Sequence, residues 1–547
     1  MYAILSSLPI LVAIIMMVVL KKKSGISLLA AWATSVLLAI FFWNMDLAHA
    51  GAFTTLGFLS AINVILIVFS AIFLLNSLIE IKFIETISNG FHGITQDRRI
   101  QILIIAWLFG AFIEGAAGFG TPGALAAPLL VGLGIPVFFA ALASLIANYS
   151  PVLFGAVGTP AVMGFESIRP GLEAQYGAGM TEAIFNQLTT MSSFANIFVG
   201  SFVPFLIIAS IVARDGRKRG LKDARNIFPL CLFAGVLFTV PAWLISHLGP
   251  EMPTLIGSLI AMPIFIFAIK KGFLVPKEVY RFRDDPVRVL SESKKTGISL
   301  VTAWSPYVII ALVLAISRLP WLPFARMLTH PNMTVSITGL FGFEGINWSF
   351  PILNNPGLLS FLPVSLLFLV VRKTPSKAIS NIFKKTTNQL RNATLALLFG
   401  VALVQLMRFT NYTNPSVGPQ AMTTEIAHSF AHLFGWTYPL VGPLIGALGT
   451  FVSGSHTVSN VMFYGLQLET ADFLGLPIIL ALIGQTSGAS IGNMIAIHNA
   501  VSISATTGAT GSEGKMIAAA SIPFILCSLA ISAVLFLFLA IGVGFIA

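Results

Sequence analysis

The sequence predicts an all-α polytopic membrane protein with about twelve spanning helices and two re-entrant hairpins in an inverted repeat. Three observations predict it. Of 547 residues, 56% are hydrophobic and 9% charged, where a soluble domain carries about 25% charged residues. The apolar side chains come in runs near the roughly 20 residues that cross a bilayer. Two further apolar stretches are broken by Gly, Ser, Thr and Pro in matching layouts. The bilayer is therefore the expected solvent for one integral membrane unit, 1–547, with no separate soluble domain.

Candidate spans lie at 3–20, 26–44, 51–79, 136–165, 192–212, 227–247, 250–270, 298–319, 352–371, 393–410, 474–500 and 516–546. The interrupted stretches 101–134 and 437–470 read as hairpins that enter and leave on one side. The first run precedes Lys21, Lys22 and Lys23, the reverse of a signal peptide, and is expected to stay as a membrane helix. Cys231 and Cys527 sit inside apolar runs, so neither a disulfide framework nor a thiolate metal site is expected. No metal and no cofactor is expected either.

Charge orients the spans. The net charge is +11, and the basic residues fall in short loops. These are 21–23, 97–99, 214–225 (Arg214, Arg217, Lys218, Arg219, Lys222, Arg225), 270–295 and 372–391. The loops at 44–50, 166–191, 320–350 and 411–436 are poor in Lys and Arg, and 166–191 and 320–350 carry amphipathic stretches. If both hairpins return to their own side, every basic loop faces the cytoplasm of a prokaryotic inner membrane, and both termini lie outside. A simple crossing at 101–134 would put 214–225 on the wrong face. Lipid headgroups are the expected partner of this charge, and nucleic acid is not.

The interruptions organise the chain. A first half, 51–212, holds the hairpin 101–134 and a broken helix, 136–165. A middle stretch, 213–392, supplies scaffold helices and basic loops. A second half, 393–547, holds the hairpin 437–470 and a broken helix, 474–500. The first hairpin tip reads Glu114-Gly115-Ala116-Ala117-Gly118-Phe119-Gly120-Thr121-Pro122, and its broken helix interrupts at Asn148-Tyr149-Ser150-Pro151, with Thr159 beyond. The second tip reads Ser453-Gly454-Ser455-His456-Thr457-Val458-Ser459-Asn460, and its broken helix interrupts at Gln485 to Asn493. Irregular backbone at membrane depth is tolerated only where protein buries it or water reaches it. A helix that starts there presents free N–H groups and a positive dipole end. Four such breaks meeting at one place would make a site for a small anion, as in inverted-repeat transporters. The alternative is that the small residues only let helices pack closely.

At these residues the chain resembles the lactate permease family. The resemblance is carried by 110–135 (GAFIEGAAGFGTPGALAAPLLVGLGI), 147–160 (ANYSPVLFGAVGTP), 449–463 (GTFVSGSHTVSNVMF) and 484–501 (GQTSGASIGNMIAIHNAV), and extends over nearly the whole chain in length and span order. It implies a secondary transporter that imports lactate, with glycolate, by proton symport, and an elevator-type motion of a substrate-carrying domain against a scaffold. Three positions depart from the family's usual pattern. His456 stands where Asn is usual, Asn148-Tyr149-Ser150-Pro151 replaces Asn-Thr-Ala-Pro, and Arg408 puts a charge in an apolar run.

The expected partners are a small monocarboxylate anion and a proton, with a homo-oligomer left open. The candidate substrate contacts are Gly115, Ala116, Gly118, Phe119, Gly120, Thr121, Asn148, Ser150, Ser453, Ser455, His456, Thr457, Ser459, Asn460, Gln485, Ser487, Ser490, Asn493 and Arg408. Glycine admits a ligand close to the backbone, and the polar side chains supply neutral hydrogen bonds. Candidate proton carriers are Glu114, His456 and His498, because ionisable groups at membrane depth default to function. Each has a plainer alternative. Glu114 could cap free N–H groups, and either histidine could be satisfied within the fold. Phe119 is either a lid over an apolar methyl group or a packing residue. Arg408 could clamp a carboxylate bidentately or snorkel to the outer interface.

Nucleotide, hydrolase and zinc-protease motifs are absent, so no enzymatic activity is expected. The rival readings are a sodium-coupled carboxylate carrier and a passive anion channel.

Overall fold

The computed structural model describes residues 2–20, 22–91, 94–118, 120–216, 220–283, 297–318, 323–328, 330–412, 419–509 and 511–543. Its principal helices in chain order are α1 (Tyr2–Val18), α2 (Ser24–Phe42), α3 (Leu47–Glu80), α4 (Arg98–Ala116), α5 (Thr121–Gly132), α6 (Val137–Ala147) and α7 (Gly155–Gly200). Then come α8 (Val203–Val212), α9 (Phe228–Ser246), α10 (Pro253–Lys270), α11 (Leu300–Arg318), α12 (Leu362–Val371) and α13 (Ser376–Arg408). The chain closes with α14 (Met422–Phe434), α15 (Tyr438–Ser453), α16 (His456–Leu474), α17 (Ile478–Gly492), α18 (Ile497–Thr507) and α19 (Glu513–Ala540). Among the described residues, nine helical segments are long and apolar enough to cross a membrane, and five shorter apolar helices accompany them.

Several loop expectations are replaced by structure. The stretch 166–191 is helical within α7 and turns at Gly177, whose φ is 78°. Arg169 clamps that turn by pairing with Glu166 at 2.7 Å and with Glu182 at 3.1 Å. The basic stretch 376–391 is the start of α13, and part of 411–436 forms α14. The fold is also not purely α. Thr334–Ile337 (β1) and Trp348–Pro351 (β2) pair antiparallel, Thr334 facing Pro351. Their Thr, Val, Ile, Trp and Phe content favours a pleated ribbon, and Gly339 and Gly342 take the positive φ its loop requires.

Two bundles form. In one, α13 lies along α2 and α3, with α1 on α2 and α12 on α3. The other contains both interrupted regions, with α9 on α7, α10 on the end of α4, and α19 against α6 and α17. The stretch 213–392 thus contributes to both bundles. The seam between them runs where α3 and α13 meet α7 and α16.

In each interrupted region the chain turns back on itself. α5 returns against α4, and α16 returns against α15. The returning arms then cross: α16 packs on α7, beyond the first broken helix, and α5 packs on α18, beyond the second. A buried ion pair fixes one end of this bundle. Arg99 donates to Asp97 at 2.6 Å, to the Asp223 carbonyl at 2.7 Å and to the Glu278 carbonyl at 3.0 Å. Tyr280 donates its hydroxyl to Asp215 at 2.6 Å. These bonds gather 97–99, 214–225 and 276–283 onto one face. They satisfy a buried charge that would be costly alone.

Candidate functional site

Four chain breaks converge on one cavity. The first lies at Ala117 to Gly120, where Gly118 and Gly120 have φ of 56° and 80°, a region open to glycine. Thr121 seals this turn by donating its hydroxyl to the Gly118 carbonyl at 2.6 Å. The second follows α6. Asn148 ends that helix, Pro151–Phe154 make a 3-10 turn, and left-handed backbone at Ala156, Val157 and Gly158 precedes the rest of α7. At the third, Gly454 closes α15 with φ 70°, and the Ser455 hydroxyl accepts from the Val458 N–H at 3.3 Å to cap α16. The fourth spans Asn493 to Ala496 between α17 and α18.

The sequence places this last break from Gln485 onward, but the helix runs on to Gly492. Gly488 serves packing instead, since a Cβ there would lie 2.5 Å from the Pro443 carbonyl carbon. Gly115 has the same use, with a Cβ 2.6 Å from the Leu255 nitrogen.

The cavity is lined by Glu114, Gly120, Asn148, Val152, Gly155, Ala156, Pro160, Gly454, Ser455, His456, Thr457, Asn493 and Asn499. It offers about 40 Å³ to the centres of water molecules, which is room for about three waters. That is the scale of a two- or three-carbon acid. Among the described residues, no Lys or Arg lines it. Four helix starts adjoin it instead, those of α5, α16 and α18 and the resumed α7, and each favours a negative group.

The wall has a free side and a fixed side. Glu114 is 2% exposed, its carboxyl makes no hydrogen bond to the described residues, and its Oε2 is fully buried. A Cβ at Gly155 would collide with that carboxyl, so glycine makes its seat. The Asn148 amide is likewise without a partner, and its Oδ1 is buried.

His456, by contrast, is fully engaged. Its Nδ1 lies 3.1 Å from the Val152 carbonyl, and its Nε2 lies 3.0 Å from the Thr486 hydroxyl and 3.1 Å from Asn460 Nδ2. A carbonyl can only accept, so Nδ1 is the donor and Nε2 receives. Asn460 also donates to the Pro160 carbonyl at 3.1 Å. These bonds tie the two halves together.

Other candidates are spent on architecture. Ser150 accepts from Asn196 at 2.7 Å, and Ser490 donates to the Tyr149 carbonyl at 2.7 Å. Ser453 donates to the Gly449 carbonyl at 2.7 Å. Ser459 donates to the Gly446 carbonyl at 2.7 Å and accepts from Gln485 at 3.1 Å. Gln485 in turn accepts from Gln467 at 3.0 Å. Thr159 donates to the Ala156 carbonyl. Ala116 and Ser487 are buried and do not line the cavity.

His498 is exposed and packs beside Gly454. Phe119 lies outside the described residues. Arg408 stands apart, at the seam, where it donates to the Ser167 carbonyl at 3.1 Å and lies against Gly171 and Gly465.

Asn499 was not singled out by sequence reasoning. It donates to Asn493 Oδ1 at 3.0 Å across the fourth break and lines the cavity. Its signal was a lone Asn just beyond a break, on a segment otherwise read for His498.

The chain is similar along its length to known proteins. It is 28% identical to an L-lactate permease of Escherichia coli K12, covering 94% of this chain and 91% of that one. It is 29% identical to an L-lactate permease of Bacillus subtilis, covering 94% and 92%. A glycolate permease of Escherichia coli K12 is 28% identical over 94% and 91%. Among solved structures, it resembles the YdaH transporter of Alcanivorax borkumensis at 12% identity and TM-score 0.46, over 90% of this chain and 87% of that one. The family description "L-lactate permease" matches residues 2–542. A multi-pass helical chain, carrying the family's quoted segments on the walls of one central cavity and matched from end to end, belongs to the L-lactate permease family.

Proposed function

We propose that the protein imports small 2-hydroxymonocarboxylates, lactate and glycolate, by proton symport across the prokaryotic cytoplasmic membrane. One observation carries the reading. Four helix starts and an unpaired Glu114 carboxyl surround a cavity of three-carbon size that has no cationic side chain among its lining residues. The helix starts meet the substrate carboxylate. A charged, unpaired carboxylate beside that anion would be doubly costly. A proton on Glu114 removes the conflict and gives the substrate a hydrogen-bond donor. Proton and anion therefore load together, and the pair crosses neutral.

The two turned-back regions act as re-entrant hairpins in an inverted repeat, and both termini lie outside. The hairpin bundle slides as an elevator against the α2–α3–α13 bundle. The names of the lactate and glycolate relatives support the substrate class.

The test is uptake of labelled lactate and glycolate into sodium-free proteoliposomes with and without an inward proton gradient. Accumulation that follows the gradient is expected. Accumulation only with sodium would replace the proton by that ion, and equilibration without accumulation would make the protein a channel.

A further inference from the structure

We propose that Asn148 reads the 2-hydroxyl group of the substrate and so sets the preference for 2-hydroxy acids over plain and 2-keto acids. This rests on the cavity being the site of a small 2-hydroxy acid. Of the polar side chains of the wall, Thr457 offers a hydroxyl with no bond to a described residue, but only Asn148 of the two has a fully buried, unpaired oxygen. His456, Asn493 and Asn499 are held by neighbours at 3.0 to 3.2 Å, and Ser455 caps α16. Glu114 has the proton-bearing role and belongs to the carboxylate. Asn148 lines the cavity, its Oδ1 is buried without a partner, and no described residue bonds its N–H groups.

The backbone around Asn148 is also held. The next carbonyl, that of Tyr149, accepts from Ser490, and the next side chain, Ser150, accepts from Asn196, both at 2.7 Å. The amide is thus presented from a fixed break and loses little freedom when a ligand arrives.

The chemistry of the amide selects its partner. An amide is both donor and acceptor, and so is a hydroxyl. A substrate hydroxyl can donate to Oδ1 while accepting from Nδ2. Because both ends are free, this holds for either orientation of the amide. A carboxylate can only accept, so it meets Nδ2 and leaves Oδ1 unmet beside a negative charge. A 2-keto oxygen only accepts and leaves Oδ1 unmet, and a plain methylene leaves both ends unmet. Buried groups left unpaired reject the wrong ligand strongly.

The test is competition against labelled lactate uptake in proteoliposomes, with glycolate, propionate and pyruvate as competitors. Wild-type protein and the variants Asn148→Ala and Asn148→Ser are compared. In wild-type protein, lactate and glycolate should compete about tenfold better than propionate or pyruvate. In Asn148→Ala that ratio should collapse toward one, and Asn148→Ser, which keeps a donor and an acceptor, should restore part of it.

Three results would overturn the assignment: equal competition by all four acids in wild-type protein, an unchanged ratio in Asn148→Ala, or equal weakening of every acid in both variants. Where Asn148→Ala does not fold, Asn148→Ser decides: a ratio between that of wild-type protein and one supports the assignment, and an unchanged ratio overturns it. If wild-type protein accumulates none of the acids under any gradient, the transport reading falls with it. If lactate accumulates and the ratio ignores residue 148, only this assignment falls.

Discussion

The two interrupted regions share a layout but differ in how their polar atoms are used. Around the first, Glu114 and Asn148 line the cavity with no hydrogen-bond partner among the described residues. Around the second, His456, Ser455, Ser459, Gln485 and Asn499 are all hydrogen-bonded within the fold. At the cavity, the first region leaves Glu114 and Asn148 open to a ligand, and the second spends His456, Ser455 and Asn499 on holding shape. A binding wall needs both, because unmet groups select a ligand only if their frame does not yield to meet them.

The sharpest way to break this contrast is Glu114→Gln. On the free side, it should cut gradient-driven uptake by about a hundredfold, at the scale of a lost proton-transfer group. Thermal unfolding in detergent should be unchanged or improved, since an unpaired buried carboxyl is removed. A large fall in stability would show that Glu114 belongs to the frame. Next, Gly155→Ala should push the carboxyl from its seat and lower uptake about tenfold, as a displacement near 1 Å can. If uptake stays at the wild-type rate, the position of Glu114 has no part in transport.

The fixed side should respond in stability instead. His456→Ala removes contacts to Val152, Thr486 and Asn460 and should cost about 2–4 kcal/mol, read as earlier unfolding in a denaturant or thermal series. Gln485→Leu leaves Ser459 and Gln467 short of a partner and should cost about 1–3 kcal/mol. Its uptake per folded molecule should stay near wild type, and a selective loss of lactate affinity would move Gln485 to the binding wall. Smallest is Arg408→Lys, which shortens the reach to the Ser167 carbonyl across the seam and should cost about 1 kcal/mol. A loss of all uptake with the fold intact would place Arg408 in the transport path.

Much of this frame was legible in the residues. Helices end or turn at Ala117, at Asn148 and at Gly454, within the Gly-, Ser- and Pro-rich clusters read from the sequence. Gly, Ser and Pro clusters mark where a helix cannot continue, and that signal is local. What failed was the use of each small residue. Gln485, Ser487, Gly488 and Ser490 look like a break, yet they sit in an unbroken helix, where Gln485 meets Ser459, Gly488 meets Pro443 and Ser490 meets Tyr149. Glycine for a turn and glycine for a close approach have the same letter. Asn148 and Ser150 likewise looked equivalent, and only Asn196, 46 residues along the chain, separates a free group from a spent one. The ribbon at 334–351 was hidden because short exposed strands lack an apolar period.

The crossing of the returning arms has a consequence for biosynthesis. The hydrogen bond from His456 to Val152 joins residues 304 positions apart. At about 5–20 residues per second, the ribosome needs roughly 15–60 s to supply the later partner. For that interval the earlier half stands in the bilayer with its irregular backbone unroofed. A chain truncated before residue 456 lacks the α16 arm that packs on α7, and its steady-state level in membranes is expected to fall below that of the full chain.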